Sequence, residues 1–447
     1  MTGEARRPRL GADFLKLWFG QGVSHFGSEI SLLAIPTLAI LVYHATPFQA
    51  SVIGALEVAP FTLFSLPAGP LADRLPRRVI LIVCDVGRAA AVGLLVVTYF
   101  AGLHHMWLIY CVSFLVGTFT VFFDITFMSF VPLVVTPDRL LGANSTLSAT
   151  KSTMGTAGPS AAGLLIQAFG PVRTLLIDAV SYLVSAVAIL LVRVRHERRT
   201  TTRLRLGVLL REIREGLAYV WQSKVLARVA LVNALCDFGQ SIIQAVYLVF
   251  LYNSLHLSPG VVGFVLAVSG VASVVGAMLL PRVVRLLGFG RTLAVSILVG
   301  MGVELLTPVA LLGLAVGVLM AINAVGGLTN AWYDVNQLTY RQRITPDHLQ
   351  GRVHATMRMT FSGPRPFGYL LGGVLGTAVG VATTIFIGAL VATLGALVLF
   401  TGSVLRLRSI DDVEPDSAGT PAETTTPETT TTPKTTTTPK STTTQTS

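Results

Sequence analysis

The sequence predicts an all-α integral membrane protein of twelve transmembrane helices in two pseudo-symmetric halves of six. Three observations carry this. Apolar runs of twenty-odd residues fill the chain from 13 to 407. Basic residues fall in alternate gaps between those runs. Short motifs recur at a nearly constant offset between the first half and the second.

Composition agrees. Of 447 residues, 52% are hydrophobic and only 12% charged, where a soluble chain carries about twice that charge fraction. A bilayer core about 30 Å thick needs roughly 20 apolar residues per crossing. The twelve spans are 15–43, 50–71, 79–101, 107–135, 141–169, 172–194, 227–252, 260–281, 291–312, 314–339, 350–379 and 381–405.

The net charge of +11 does not point to nucleic acid, because the basic residues follow the positive-inside rule instead. Arg6, Arg7, Arg9 and Lys16 open span 1; Arg74, Arg77 and Arg78 follow span 2; ten basic residues lie between Arg193 and Arg228. Arg282, Arg285 and Arg291 join spans 8 and 9, and Arg341, Arg343 and Arg352 join spans 10 and 11. The opposite gaps lack Lys and Arg except at Arg173. This places both termini in the cytoplasm of a multi-pass protein of the bacterial inner membrane. Span 1 is too long for a cleavable signal and lacks a small-residue cleavage site. Cys84, Cys111 and Cys236 lie inside apolar runs and read as packing residues, neither a disulfide set nor a metal site.

The organisation that follows is a cytoplasmic N-terminus (1–14), a six-helix bundle (15–194), a cytoplasmic linker (195–226), a second bundle (227–407) and a tail (408–447). Within the linker, Leu206–Trp221 has the pattern of an amphipathic helix on the inner surface, with Arg211, Arg214 and Lys224 at the lipid phosphates. Residues 416–447 are nearly all Thr, Pro, Ser, Lys and Glu and cannot form a core. The repeat pairs His25-Phe26-Gly27 with Asp237-Phe238-Gly239, and Thr136-Pro137-Asp138 with Thr345-Pro346-Asp347. Parallel halves of this kind are a transporter architecture, with the binding site between them at the midplane.

Gly69-Pro70-Leu71-Ala72-Asp73-Arg74-Leu75-Pro76-Arg77-Arg78 closes span 2. It resembles the signature loop between spans 2 and 3 of the major facilitator superfamily, with Pro76 in place of the second glycine. The resemblance implies that Gly69, Asp73, Arg74 and Arg78 form a cytoplasmic gate latch, the carboxylate facing a helix N-terminus of the other half. Gly155, Gly158, Pro159 and Gly163 in span 5 resemble the antiporter motif of drug-exporting branches, with one glycine missing. Small residues at this spacing allow close helix contact, and proline bends the helix. Phe14 to Gln21, Ala55 to Pro60, Phe123-Asp124 and Asp178 to Leu183 extend the likeness over roughly residues 10 to 410. In that order they resemble the branch of enterobactin exporters and macrolide-efflux proteins. The resemblance implies proton-driven export of a hydrophobic small molecule by a functional monomer.

Charges inside the spans are the site candidates, since an intramembrane acid costs about 2.5–3.5 kcal/mol on insertion scales. Glu29 stands about 20 Å beyond Lys16 at 1.5 Å per residue. His25 lies one turn earlier, and Gln21, Ser24, Ser28 and Ser31 extend the polar stripe. Asn233, Asp237, Gln240 and Gln244 form its counterpart in span 7. Glu29 and Asp237 are the expected proton-coupling acids, with His25 sharing or tuning the proton. Gln21, Glu57, Asn233, Gln240, Gln244, Arg358 and Arg365 are the expected cavity residues. Arg365 reads either as a counter-ion for an anionic substrate group or as forming an internal salt bridge to Asp237 or Glu29. Arg88 and Asp124 are expected to form a structural charge pair, with Asp85 as the other possible partner.

No phosphate-binding loop, metal-spaced Cys/His set or nucleophile elbow is present, so neither ATP-driven transport nor an enzyme is expected. No cofactor is implied beyond the proton gradient. The expected partners are lipids, protons and the substrate. Two rival readings remain: import or facilitated diffusion, and a transporter-like receptor that binds a ligand without moving it.

Overall fold

The computed structural model describes residues 11–193, 214, 217–222, 224–345 and 350–401. The helices are α1 (Ala12–Leu41), α2 (Pro47–Arg74), α3 (Arg77–Phe100), α4 (Met106–Val134), α5 (Leu140–Phe169) and α6 (Pro171–Leu191). Then come α7 (Lys224–Val249), α8 (Pro259–Leu287), α9 (Phe289–Val303), α10 (Ala315–Ile344), α11 (Gln350–Ser362), α12 (Arg365–Ala378) and α13 (Val381–Leu397). A π-helical turn, Phe250–Ser254, extends α7, and a 3₁₀ segment, Glu304–Leu312, extends α9.

Ten of these segments are long and apolar enough to cross a membrane. The two predicted spans that fall outside that set are the fifth and the eleventh. α5 has the length but opens on the polar run Asn144 to Thr153, much of it exposed. The eleventh is broken at Gly363-Pro364 into α11 and α12, of 13 and 14 residues. Proline has no N–H to donate and disfavours helix in the residue before it. These are the two spans the sequence repeat places in corresponding positions.

The helices are inside-out relative to a soluble bundle. On α6, Thr174, Asp178 and Ser185 are fully buried, while Val180, Val187 and Leu190 are more than half exposed. Such a helix loses nothing by facing lipid, provided its polar face is satisfied within the protein.

α1, α3, α4, α5 and α6 pack with one another, and α2 joins them through α4; α7 to α10 and α13 form the corresponding group, joined by α12. The duplication is visible in the turns as well. His44 after α1 and His256 after the α7 extension both have φ of 51°, the only non-glycine residues with positive φ among the described ones. Each precedes a proline by three residues, at Pro47 and Pro259. Gly170 between α5 and α6 and Gly380 between α12 and α13 turn the chain at φ 78° and 88°. His-x-x-Pro was a readable repeat signal in the sequence beside the pairs noted above.

The groups meet along two matching seams at the ends away from the basic loops. Gly163 of α5 lies against Gly263 of α8, so close that a Cβ on either would stand 2.9 Å from the other's Cα. Gly373 of α12 lies against Ser51 of α2 in the same way, where an added Cβ would reach Ser51 Cβ at 2.6 Å. Gln167 Oε1 accepts from Gly260 N at 3.0 Å, and Thr37 bonds the Tyr252 hydroxyl at 2.9 Å. Toward the basic end α5 instead exposes Ser145, Ser148, Lys151 and Ser152. Among the described residues the structure is sealed at the end away from the basic loops, where these close contacts cluster.

Of the linker, only Arg214 and residues 217–222 are described, with residues from 224 opening α7. Tyr219 and Val220 are buried against Phe289, Tyr340, Val353 and Met357, while Leu217 and Trp221 are exposed. The rest of the amphipathic segment, the N-terminal ten residues and the Thr/Pro tail lie outside the described residues.

Candidate functional site

α1, α2, α5, α7 and α12 enclose a cavity of about 320 Å³ beneath the seams. Leu32, Leu33, Pro36, Ile243, Leu248 and Leu266 give it an apolar wall, into which Glu29 and Glu57 are set. A second pocket of about 440 Å³ lies among α7, α9 and α10, with Asp237 and Asn233 in its wall. Gln240, Gln244, Glu304 and Asn323 line both, so the two spaces adjoin.

Local sequence explains how Glu29 is held. A Cβ on Gly158 would stand 2.5 Å from Glu29 Cβ, and one on Gly155 would stand 3.8 Å from its carboxylate. The small residues of α5 thus make the berth for the α1 acid, and Pro159 at the bend faces the same cavity. Gly163, one turn on, serves the seam instead. Lys151 of α5 acts electrostatically on Glu29, His25 and Asp124; sequence reasoning passed over it.

Arg365 opens α12 and stands between the two groups of helices. Its charge acts on Glu57 from α2, on Asp237 from α7 and on the Tyr369 hydroxyl one turn further along α12. Tyr369 donates in turn to Gln244 Oε1 at 2.7 Å and fills the space over Gly54. Among the described residues Arg365 makes no ion pair with Asp237 or Glu29; the acids on which its charge acts are Glu57 and Asp237. Arg358 is exposed and lies over the Phe61 ring at 5.5 Å, a cation–π contact between α11 and α2.

Three expectations are corrected. Gln21 is no cavity residue: it is 2% exposed and donates to Ser185 Oγ of α6 at 2.9 Å. Its position on α1 faces the neighbouring helix rather than the space between the halves. Gln21→Leu is therefore expected to leave the range of transported compounds unchanged and to cost about 0.5–1.5 kcal/mol, the usual worth of one hydrogen bond. A substrate-resistance panel and a thermal melt check the two parts. Arg88 is paired with Asp85, three residues earlier on α3, rather than with Asp124. The i, i+3 spacing puts both on one helix face, and Asp124 acts on Arg88 only at longer range. Arg78 donates to the Leu190 carbonyl at the end of α6, within its own group of helices. A cation at a helix C-terminus is favoured there by the helix dipole. Of the other gate residues, the surroundings of Gly69 and the side chains of Asp73 and Arg74 lie outside what is described.

His25 is half-buried and lines neither cavity. Asp178 accepts from Ser31 and from Ser181, which joins α6 to α1. Cys84 and Cys236 are buried and Cys111 exposed, all as free thiols.

In sequence Glu304 has no evident partner and Asp334 reads as a gate or structural acid near the cytoplasmic end; the structure sets both in the wall of the second pocket. Glu304 ends the α-helical part of α9 and accepts from Thr307 Oγ1 at 3.1 Å. The signal was Pro308: with no N–H, it cannot bond the carbonyl four residues back, at Glu304. An acid at a helix break inside an apolar span marks a cavity. Asp334 accepts from Asn330 at 3.3 Å.

Comparison with known proteins agrees with this architecture. The family described as transmembrane secretion effector matches residues 8–429. The multidrug efflux pump Tap of Mycolicibacterium fortuitum is 25% identical, over 92% of this chain and 99% of the relative. Macrolide efflux protein A of Streptococcus pyogenes is 24% identical, over 82% of this chain and 90% of the relative. Among solved structures, a bacterial homologue of the iron transporter ferroportin in its inward-facing state superposes with a TM-score of 0.68 at 16% identity, covering 87% of this chain and 98% of that one. These matches and the helical membrane fold place the chain among transporters rather than enzymes, and it belongs to the transmembrane secretion effector family of the major facilitator superfamily.

Proposed function

We propose that this protein exports a hydrophobic small molecule from the cell in exchange for protons, by alternating access of the cavity between its halves. The observation that carries the reading is the setting of Glu29 and Glu57 in the apolar wall of that cavity, beside Asp237 in the adjoining pocket. A carboxyl in such a place binds a proton when water cannot reach it and releases the proton when water can. The apolar wall takes the body of the substrate. The drug and macrolide efflux functions named for the relatives support the outward direction. The basic loops support a cytoplasmic placement of both termini in the cell membrane; the sealed end then lies on the outer side and the cavity is reached from the cytoplasm. The twelve-crossing count follows if α5 and the α11–α12 pair also span. No cofactor enters the cycle, and one chain is the working unit.

Inside-out vesicles energised by a pH gradient test the reading. Glu29→Gln is expected to abolish gradient-driven accumulation while substrate still exchanges down its own gradient. Undiminished uphill accumulation in Glu29→Gln would remove Glu29 from the coupling. Accumulation in the wild type that ignores the pH gradient would favour facilitated diffusion. Binding without any flux would favour a receptor.

A further inference from the structure

The pocket among α7, α9 and α10 has a chemistry of its own. Three carboxylates stand in its wall, Asp237, Glu304 and Asp334, and no Lys, Arg or His lines it among the described residues. Arg365 acts on Asp237 from α12. Glu304 and Asp334 have only the neutral partners Thr307 and Asn330 in the bonds described for them. Glu304 stands at the end shared with the other cavity, so Asp334 is the acid beside Asp237 that Arg365 does not act on.

Acids alone would not define a ligand, but two amides beside them do. Asn233 is 8% exposed and Gln337 7%. The Asn233 carbonyl oxygen accepts from the Tyr333 hydroxyl at 2.7 Å, which leaves its Nδ2 buried without an acceptor. Nε2 of Gln337 is buried and unpartnered in the same way. Both residues line the pocket. A buried amide donor left unsatisfied is costly, so these N–H groups call for acceptors on whatever enters. Among the described residues no three His, Cys, Asp or Glu side chains form a metal-ligand set. The wall asks for one molecule that carries a cation and hydrogen-bond acceptors together.

We propose that this pocket is a headgroup subsite for the transported molecule, one that takes a protonated amine flanked by hydroxyl or carbonyl oxygens. Asp334 receives the ammonium group, beside Asp237 on which it acts, and Asn233 and Gln337 donate to the oxygens. The apolar body of the same molecule lies in the cavity between the halves, reached past Gln240 and Gln244, which line both spaces. Transport of that molecule rests on the export reading; its binding in this pocket does not.

The test uses the full chain in lipid nanodiscs and three radiolabelled probes at equilibrium. The first is a macrolide bearing a basic amino sugar. The second is the same macrolide with that nitrogen acylated and neutral. The third is tetraphenylphosphonium, a cation without acceptors. The wild type is expected to bind the basic macrolide most tightly. Asp334→Asn is expected to weaken the basic macrolide and the phosphonium by about tenfold, as loss of one charge-assisted contact implies, and to leave the acylated macrolide unchanged. Gln337→Leu is expected to weaken both macrolides several-fold and to spare the phosphonium. Asp334→Ser gives a second reading of the acid arm if Asp334→Asn does not fold, and Asp334→Glu is expected to restore binding. Equal weakening of both macrolides by Asp334→Asn, or a wild type that does not prefer the basic probe, overturns the proposal. Extrusion of the basic macrolide by vesicles is scored separately. Selective binding without extrusion would defeat the export reading and keep the subsite. Extrusion without selective binding would defeat the subsite and keep export.

Discussion

Gly163→Val is expected to stop transport while both groups of helices remain folded. Gly163 lies back to back with Gly263, with room for neither a methyl nor a branched side chain. Overpacking at a close contact costs about 1–3 kcal/mol. That cost falls only on the state in which this seam is closed, so it shifts the two-state equilibrium by roughly 5- to 150-fold. The protein would be held open on the sealed face and would not reload from the basic face. Gly373→Val is expected to do the same through the matching seam at Ser51. Vesicle extrusion gives the rate. The state is read by labelling a single cysteine at Gln244 from the outer side, in a background without Cys84, Cys111 and Cys236. Labelling should rise in the valine variant. Wild-type extrusion with valine at Gly163 would show that the seam is not the gate.

The largest stability effect is expected at Arg88. Its guanidinium lies 4.4 Å from the ring centres of both Phe123 and Tyr182 and is paired to Asp85. Asp85 is wholly buried and Arg88 4% exposed, so solvent screens neither charge. Arg88→Ala leaves a buried carboxylate without its cation, a change that costs about 3–5 kcal/mol. Arg88→Lys should not rescue, because an ammonium lacks the flat face that stacks between two rings. Removing both charges, with Arg88→Leu and Asp85→Leu together, should recover most of the loss, since a well-packed apolar pair replaces an ion pair at little cost. Thermal melting of the purified variants in detergent decides it. A single Arg88→Ala variant that melts with the wild type would rule out the pair as a structural element.

The site was legible in the sequence only in part. Glu29, Glu57, Asp237, Gln240 and Gln244 stood out as polar groups inside apolar runs, and the structure sets all five in the walls of the two cavities. Gln21 stood out for the same reason and belongs to a helix contact. Nothing in the sequence separates the two cases, because each of them satisfies a buried polar group equally well. Arg88 had two possible acidic partners, and only the side-chain geometry on α3 selects Asp85. Lys151 was overlooked because α5 is polar along its first half, so one more polar residue carried no contrast. Glu304 was seen without a role until its neighbours from α7 and α10 were in place.

What the sequence determined by itself is the membrane helices, their basic ends and the duplication. A helix in lipid satisfies its own backbone, so insertion is decided within each stretch of roughly 20 residues, and loop charge sets its orientation locally. Only the tertiary structure decided which faces meet. Gly158 receives Glu29, Gly163 meets Gly263, and the charge of Arg365 acts on Glu57 and Asp237, between segments hundreds of residues apart in some cases and always on different helices. Such pairings depend on the rotation and tilt of whole helices, set by close packing of small residues against remote partners, and no local window of the chain contains that information.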